Sequence, residues 1–115
     1  MKDWTAIKQR YLQDNLPTRL GGLAANLARI KSFARREENF NAVNSLIEES
    51  KFFIEWTALA LEINKASELV ELQREMARWQ YNLAGLWTNS QKRSAISEQA
   101  GIWSQQVLSM SGLLN

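Results

Sequence analysis

Glu48, Glu55 and Glu62 recur at every seventh position, a spacing that sets three carboxylates along one side of a helix and invites comparison with carboxylate-bridged metal bundles. Such bundles require Glu-x-x-His pairs that project inward from facing helices, whereas seven residues of helix separate successive carboxylates by about 10 Å, too far to share one ion. The chain has no histidine at all, so the comparison fails and the three glutamates read as a solvated acidic face. Serine offers a second chemistry. Ser90, Ser94, Ser97, Ser104, Ser109 and Ser111 crowd one segment, but none has a histidine to activate it, and a Ser-Lys pairing would need Lys92 buried. They are expected to form a weakly charged polar helix face, which a partner could cover more easily than a charged one.

The inventory closes further routes. No cysteine is present, which removes disulfides, thiolate ligands and cysteine nucleophiles, and the missing histidine removes the commonest general acid/base and metal ligand. Gly21-Gly22 is not a phosphate loop, because it follows Pro17 rather than a strand and lacks the GxGxxG or Walker spacing. The pair instead permits close helix approach or a frayed first turn. The expectation is a protein that is not an enzyme, with no cofactor and no metal.

Charge suggests a different class of partner. The formal net charge is +2, yet residues 1–36 carry eight Lys/Arg against two acids and residues 37–75 carry three against nine. Arg29, Lys31, Arg35 and Arg36 cluster near the end of a predicted helix, where positive charge also complements the helix dipole. On a helical wheel Arg29 and Arg36 face away from Lys31 and Arg35, so the four make a weak nucleic-acid contact at best, and the opposed charge blocks can pair within the fold or between subunits.

All of these side chains must be held by helices. A single proline and five glycines interrupt the 115 residues, and period-two alternation bounded by turn residues is absent. Trp4, Ile7 and Tyr11 give a narrow apolar stripe to a short helix over about 3–14, which Asn15 and Pro17 should end. Leu16, Leu20, Leu23, Leu27, Ile30 and Ala34 then fall on one face of a helix over 17–36. Leu69, Leu72, Met76, Trp79, Leu83 and Leu86 form a seam over 67–88, and Ile96, Ala100, Trp103, Val107, Met110 and Leu114 repeat it over 91–114. Thr88-Asn89-Ser90 offers an N-cap between them. With a further helix over 41–63, four nearly equal helices of about 30–35 Å joined by short loops predict an all-α, antiparallel up-and-down four-helix bundle with a short additional N-terminal helix, in one domain over 1–115.

Helix 41–63 carries two apolar groups. Val43, Leu46, Ile47, Phe53, Ile54 and Leu61 form the expected core stripe; Phe52, Trp56, Leu59 and Ile63 form a second at i, i+4, i+7 and i+11, facing away from the first. Four large side chains in line make a substantial patch, so something should cover it. Either the N-terminal helix folds back under Trp4, Ile7, Tyr11 and Leu12, or the stripe is an interface, most economically a two-fold homodimer.

The leading expectation is a non-catalytic helical interaction module that self-associates or docks a protein partner through Phe52, Trp56, Leu59 and Ile63. A nucleic-acid-associated accessory protein acting through the basic first third is the second reading. An apolar small-ligand carrier, or an enzyme with a site in the bundle core, is the third. Neither a signal peptide nor an apolar run of about 20 residues is visible, so no membrane partner is expected and a cytoplasmic location is the default.

Overall fold

The computed structural model describes residues 2–113. It is an all-α bundle: α1 (Trp4–Gln13), α2 (Leu16–Phe33), α3 (Phe40–Thr57), α4 (Ile63–Leu86) and α5 (Ser90–Ser111), with 3-10 turns at Glu37–Asn39 and Ala58–Ala60 and no strand among the described residues. Three of the starts are capped by an Asp or Asn side chain at the preceding residue. Asp3, Asn15 and Asn89 accept hydrogen bonds from the backbone N–H groups of Ala6, Thr18 and Lys92, and Pro17 sits in the first turn of α2, where its missing donor costs nothing. Gly112 ends α5 at φ 76°, the left-handed conformation that favours glycine. Leu114, the last member of the predicted final seam, lies outside the described residues.

α2 is flanked by α3 and α5, and α3 by α4, which places the four long helices in sequence order around the core. Their antiparallel sense is written in side-chain ties. Asn44 and Lys51 of α3 meet Gln80 and Gln73 of α4, and Lys31 and Ala24 of α2 meet Ser97 and Ser104 of α5. The predicted seams supply the interior: Leu20, Leu23, Leu27, Ile30 and Ala34 from α2, Val43, Ile47, Phe53 and Ile54 from α3, Leu69, Leu72, Met76 and Leu83 from α4, and Ile96, Ala100 and Val107 from α5 are buried. Leu16, Leu46, Trp79, Leu86, Trp103 and Met110 pack against its rim.

Two elements depart from the periodic reading. The helix predicted over 41–63 stops at Thr57, and the next begins at Ile63 rather than at 67. The apolar period runs on through the turn, and no glycine or proline marks it. The cap is Glu62, whose carboxylate accepts from the Lys65 backbone N–H, so Glu62 leaves the row begun by Glu48 and Glu55. The serine-rich side of α5 is a polar face only in part, at the exposed Ser90, Ser94 and Ser109. Ser97, Ser104 and Ser111 are buried; Ser97 Oγ donates to the Lys31 carbonyl at 2.6 Å and Ser104 Oγ to the Ala24 carbonyl at 2.7 Å. Small side chains let the two backbones approach, and the hydroxyls are satisfied by helix carbonyls rather than water. Gly101 belongs to the same close contact: a Cβ there would lie 2.8 Å from Lys31 Cδ.

Candidate functional site

The predicted stripe is divided between two settings. Phe52 and Trp56 remain on α3 and are half-covered by α1, with the Trp4 ring tilted against Phe52 at 4.5 Å and Tyr11 at 5.9 Å from Trp56. Tyr11 is the anchor. Its ring stacks on Phe53 at 4.0 Å, its hydroxyl donates to the Arg19 carbonyl at 2.8 Å, and it accepts from Thr57 Oγ1 at 3.1 Å. Arg19 then clamps the end of α1 by donating to the Leu12 and Asp14 carbonyls. Leu59 and Ile63 lie beyond the end of α3 and are 99% and 76% exposed. The four residues therefore do not share one helical face.

The basic cluster is likewise dispersed. Arg29 donates to Asn26 Oδ1, within a chain that continues through Glu49 to Lys2. Arg36 pairs with Glu38 at 3.8 Å in the following turn. Lys31 and Arg35 line a hollow against α5 beside Glu98 and Ile102. Of the acidic residues, Glu48 pairs with Lys51, Glu71 with Arg74 and Glu75 with Arg78, all three at i, i+3. Among the described residues no three acidic groups converge to hold a metal ion.

Sequence reasoning missed Arg93. Its guanidinium is buried at the start of α5, donates from Nη1 to the Trp87 carbonyl at 2.6 Å, lies 5.8 Å from the Trp87 ring centroid, and leaves Nε without a partner. Trp87 in turn donates from its indole to the Glu37 carbonyl and meets Phe40 edge-on at 5.5 Å. No carboxylate faces the cation. The negative end of α4 stabilises it instead. A buried charge held only by carbonyls is poorly repaid for its desolvation, so Arg93→Met should unfold within about 1 kcal/mol of the parent, whereas Arg93→Ala, which leaves a cavity, should cost about 2–3 kcal/mol in urea titrations.

Two adjoining hollows lie between α4 and α5. The small residues Ala24, Ser97, Ala100 and Ser104 draw α5 against α2. On its other side α5 meets α4 through large side chains, and the gap closes where the Trp79 and Trp103 indoles meet at 4.7 Å. On either side it stays open. One hollow of about 340 Å³ has Leu72 and Trp103 in its floor and Glu68, Glu71 and Glu75 along its α4 wall. The other, of about 590 Å³, is lined by Trp79, Leu86, Ile96 and Trp103, with Lys92 and Gln99 on the α5 wall. They share Glu75 and Trp103, so they form one continuous groove. A further hollow of about 430 Å³ lies between α3 and α4, but its rim mixes Glu48 and Glu55 with Lys51 and Arg74, and Gln73 bridges it by donating to the Lys51 carbonyl. Among the described residues the α4–α5 groove combines an aromatic floor with a wall of one sign over half its length, which the α3–α4 hollow does not.

Comparison with protein-family models, with curated proteins and with solved structures found no match to this chain.

Proposed function

We propose that the protein is a non-catalytic interaction module whose docking surface is the groove between α4 and α5. The observation that carries this reading is the Trp79–Trp103 pair: two large aromatic side chains, only partly buried, floor the gap between α4 and α5, which a single side-chain hydrogen bond, from Gln106 to Glu68 at 3.3 Å, spans at one end. Partly exposed tryptophans in a concave setting are the side chains around which binding energy concentrates when a partner excludes water. Catalysis is given no support by the same surface, which holds no nucleophile–base pair. Compared with Phe52 and Trp56 of the stripe proposed from periodicity, which α1 half-covers, the groove has the advantage that no helix of the described residues lies over it.

Photo-crosslinking tests this directly. With a benzophenone amino acid at Gln99 or Gln106, on the groove's α5 wall, cells of origin should yield one discrete crosslinked protein, and the same probe at Ser32 on the outer side of α2 should not. Equal labelling from all three positions, or none from the groove, would refute docking there.

A further inference from the structure

We infer that the occupant of the groove is an amphipathic helix of a partner protein, with Lys or Arg along the flank that lies against α4; this rests on the docking reading above. Shape selects a helix. The groove runs between two antiparallel helices from Glu68 and Gln106 to Leu86 and Lys92, a length of about 27 Å at 1.5 Å per residue, or some five helical turns. A splayed pair of helices presents parallel ridges into which a further helix packs by the same ridge-and-groove geometry that holds the bundle.

Charge selects the flank. Glu68, Glu71 and Glu75, at i, i+3 and i+7, all line the α4 wall, while Gln99 and Gln106 opposite are neutral and Lys92 lies in the other hollow. Their present partners are replaceable. Glu68 accepts from the Gln106 amide at 3.3 Å, and Glu71 and Glu75 pair with Arg74 and Arg78 in exposed contacts. Exposed pairs of that kind contribute little, because solvent screens them. An incoming cation, partly shielded from water beside the indoles, gains from the carboxylates and from the ring faces together. A second copy of this chain fits less well. Its own basic amphipathic helix, α1, has already committed Trp4 and Tyr11 to α3, leaving Lys8 and Arg10 exposed with Leu12 alone as an exposed apolar neighbour.

The test is selection from a displayed library of helix-forming 18-residue peptides, with Leu, Phe or Trp fixed at i, i+3, i+7 and i+10 and with Lys, Gln and Glu free on both flanks. Binders to the intact protein should be enriched in Lys on one flank. They should lose affinity about tenfold for E68K/E71K/E75K at low salt, and bind neither Trp103→Arg nor Ala95→Trp, which fills the groove from its exposed edge; circular dichroism verifies each fold. Peptides blocked by Ala95→Trp but with neutral or acidic flanks would overturn the charge assignment and leave the docking reading standing. Binders indifferent to both groove variants, or none at all, would overturn the docking reading itself. A concentration-independent dimer with Trp103 shielded from quenchers would make a second copy the occupant and refute this proposal.

Discussion

Tyr11→Ala is expected to lower the unfolding free energy by about 3 kcal/mol or more and to release α1 from the bundle. The ring is buried against Phe53, and its hydroxyl joins α1 to the Arg19 carbonyl and to Thr57. Without that anchor α1 has ten residues, too few to stay helical alone in water. Released, it uncovers Phe52 and Trp56, so the variant should also bind an apolar dye and self-associate where the parent does not. Urea titration followed by circular dichroism measures the first effect, and sedimentation the second. Alkaline pH gives a milder form of the same experiment. Burial pushes the Tyr11 phenol up to about 12, with the Thr57 hydrogen bond acting in the opposite sense. The folded state thus resists ionisation that the unfolded chain undergoes near 10. The corresponding stability is intact below about pH 10 and is lost as pH climbs to about 12, by about 3 kcal/mol at most. Tyr11→Phe should remove that component of the alkaline slope, and a parent whose slope matches it would refute the assignment.

Ser104→Leu is the second large effect. Ser104 sits where α5 approaches α2 most intimately, with Oγ on the Ala24 carbonyl. A leucine adds bulk against the α2 backbone and removes the hydrogen bond, together costing about 3 kcal/mol, whereas Ser104→Ala removes the hydrogen bond alone and should cost about 1 kcal/mol. The leucine also pushes α5 toward α4, so the groove narrows and Trp79 and Trp103 lose exposure to a soluble quencher. Equal costs for the two substitutions would show that the contact is not close-packed.

The seams of α2, α4 and α5 were legible because Leu20, Leu27, Leu69, Met76 and Val107 are large, apolar and spaced by three and four, and burial of one stripe is what fixes a helix on a core. The bundle follows from them. Periodicity misled wherever burial was not carried by large apolar groups, or where the chain turned without a conventional signal. Leu59, Leu61 and Ile63 continue the rhythm of α3 across a turn capped by Glu62, a residue ordinarily found inside helices, so one stripe was drawn where the chain makes two elements. Ser97 and Ser104 look like surface in any hydropathy sum, yet they are the contact with α2. The heptad spacing of Ser97, Ser104 and Ser111 was the available signal, since small residues repeated at that interval permit close helix approach. Trp79 and Trp103 were correctly placed on seams, but that their seams would stand apart depends on how tightly α5 is held on its opposite side, which neither seam encodes by itself.

That same α2–α5 contact has a consequence for how the molecule assembles. Ser97 reaches Lys31 across 66 residues and Ser104 reaches Ala24 across 80, so of the four long helices the closest-packed pair is also the most distant along the chain. Helical bundles fold quickly because most of their contacts are local, but this one closes its ring only when α5 returns to α2. The entropy of closing so long a loop grows slowly with its length, so the tie burdens the rate of folding more than the final stability. Until α5 packs, the core of α2, α3 and α4 lacks the side that Ile96, Ala100 and Val107 supply.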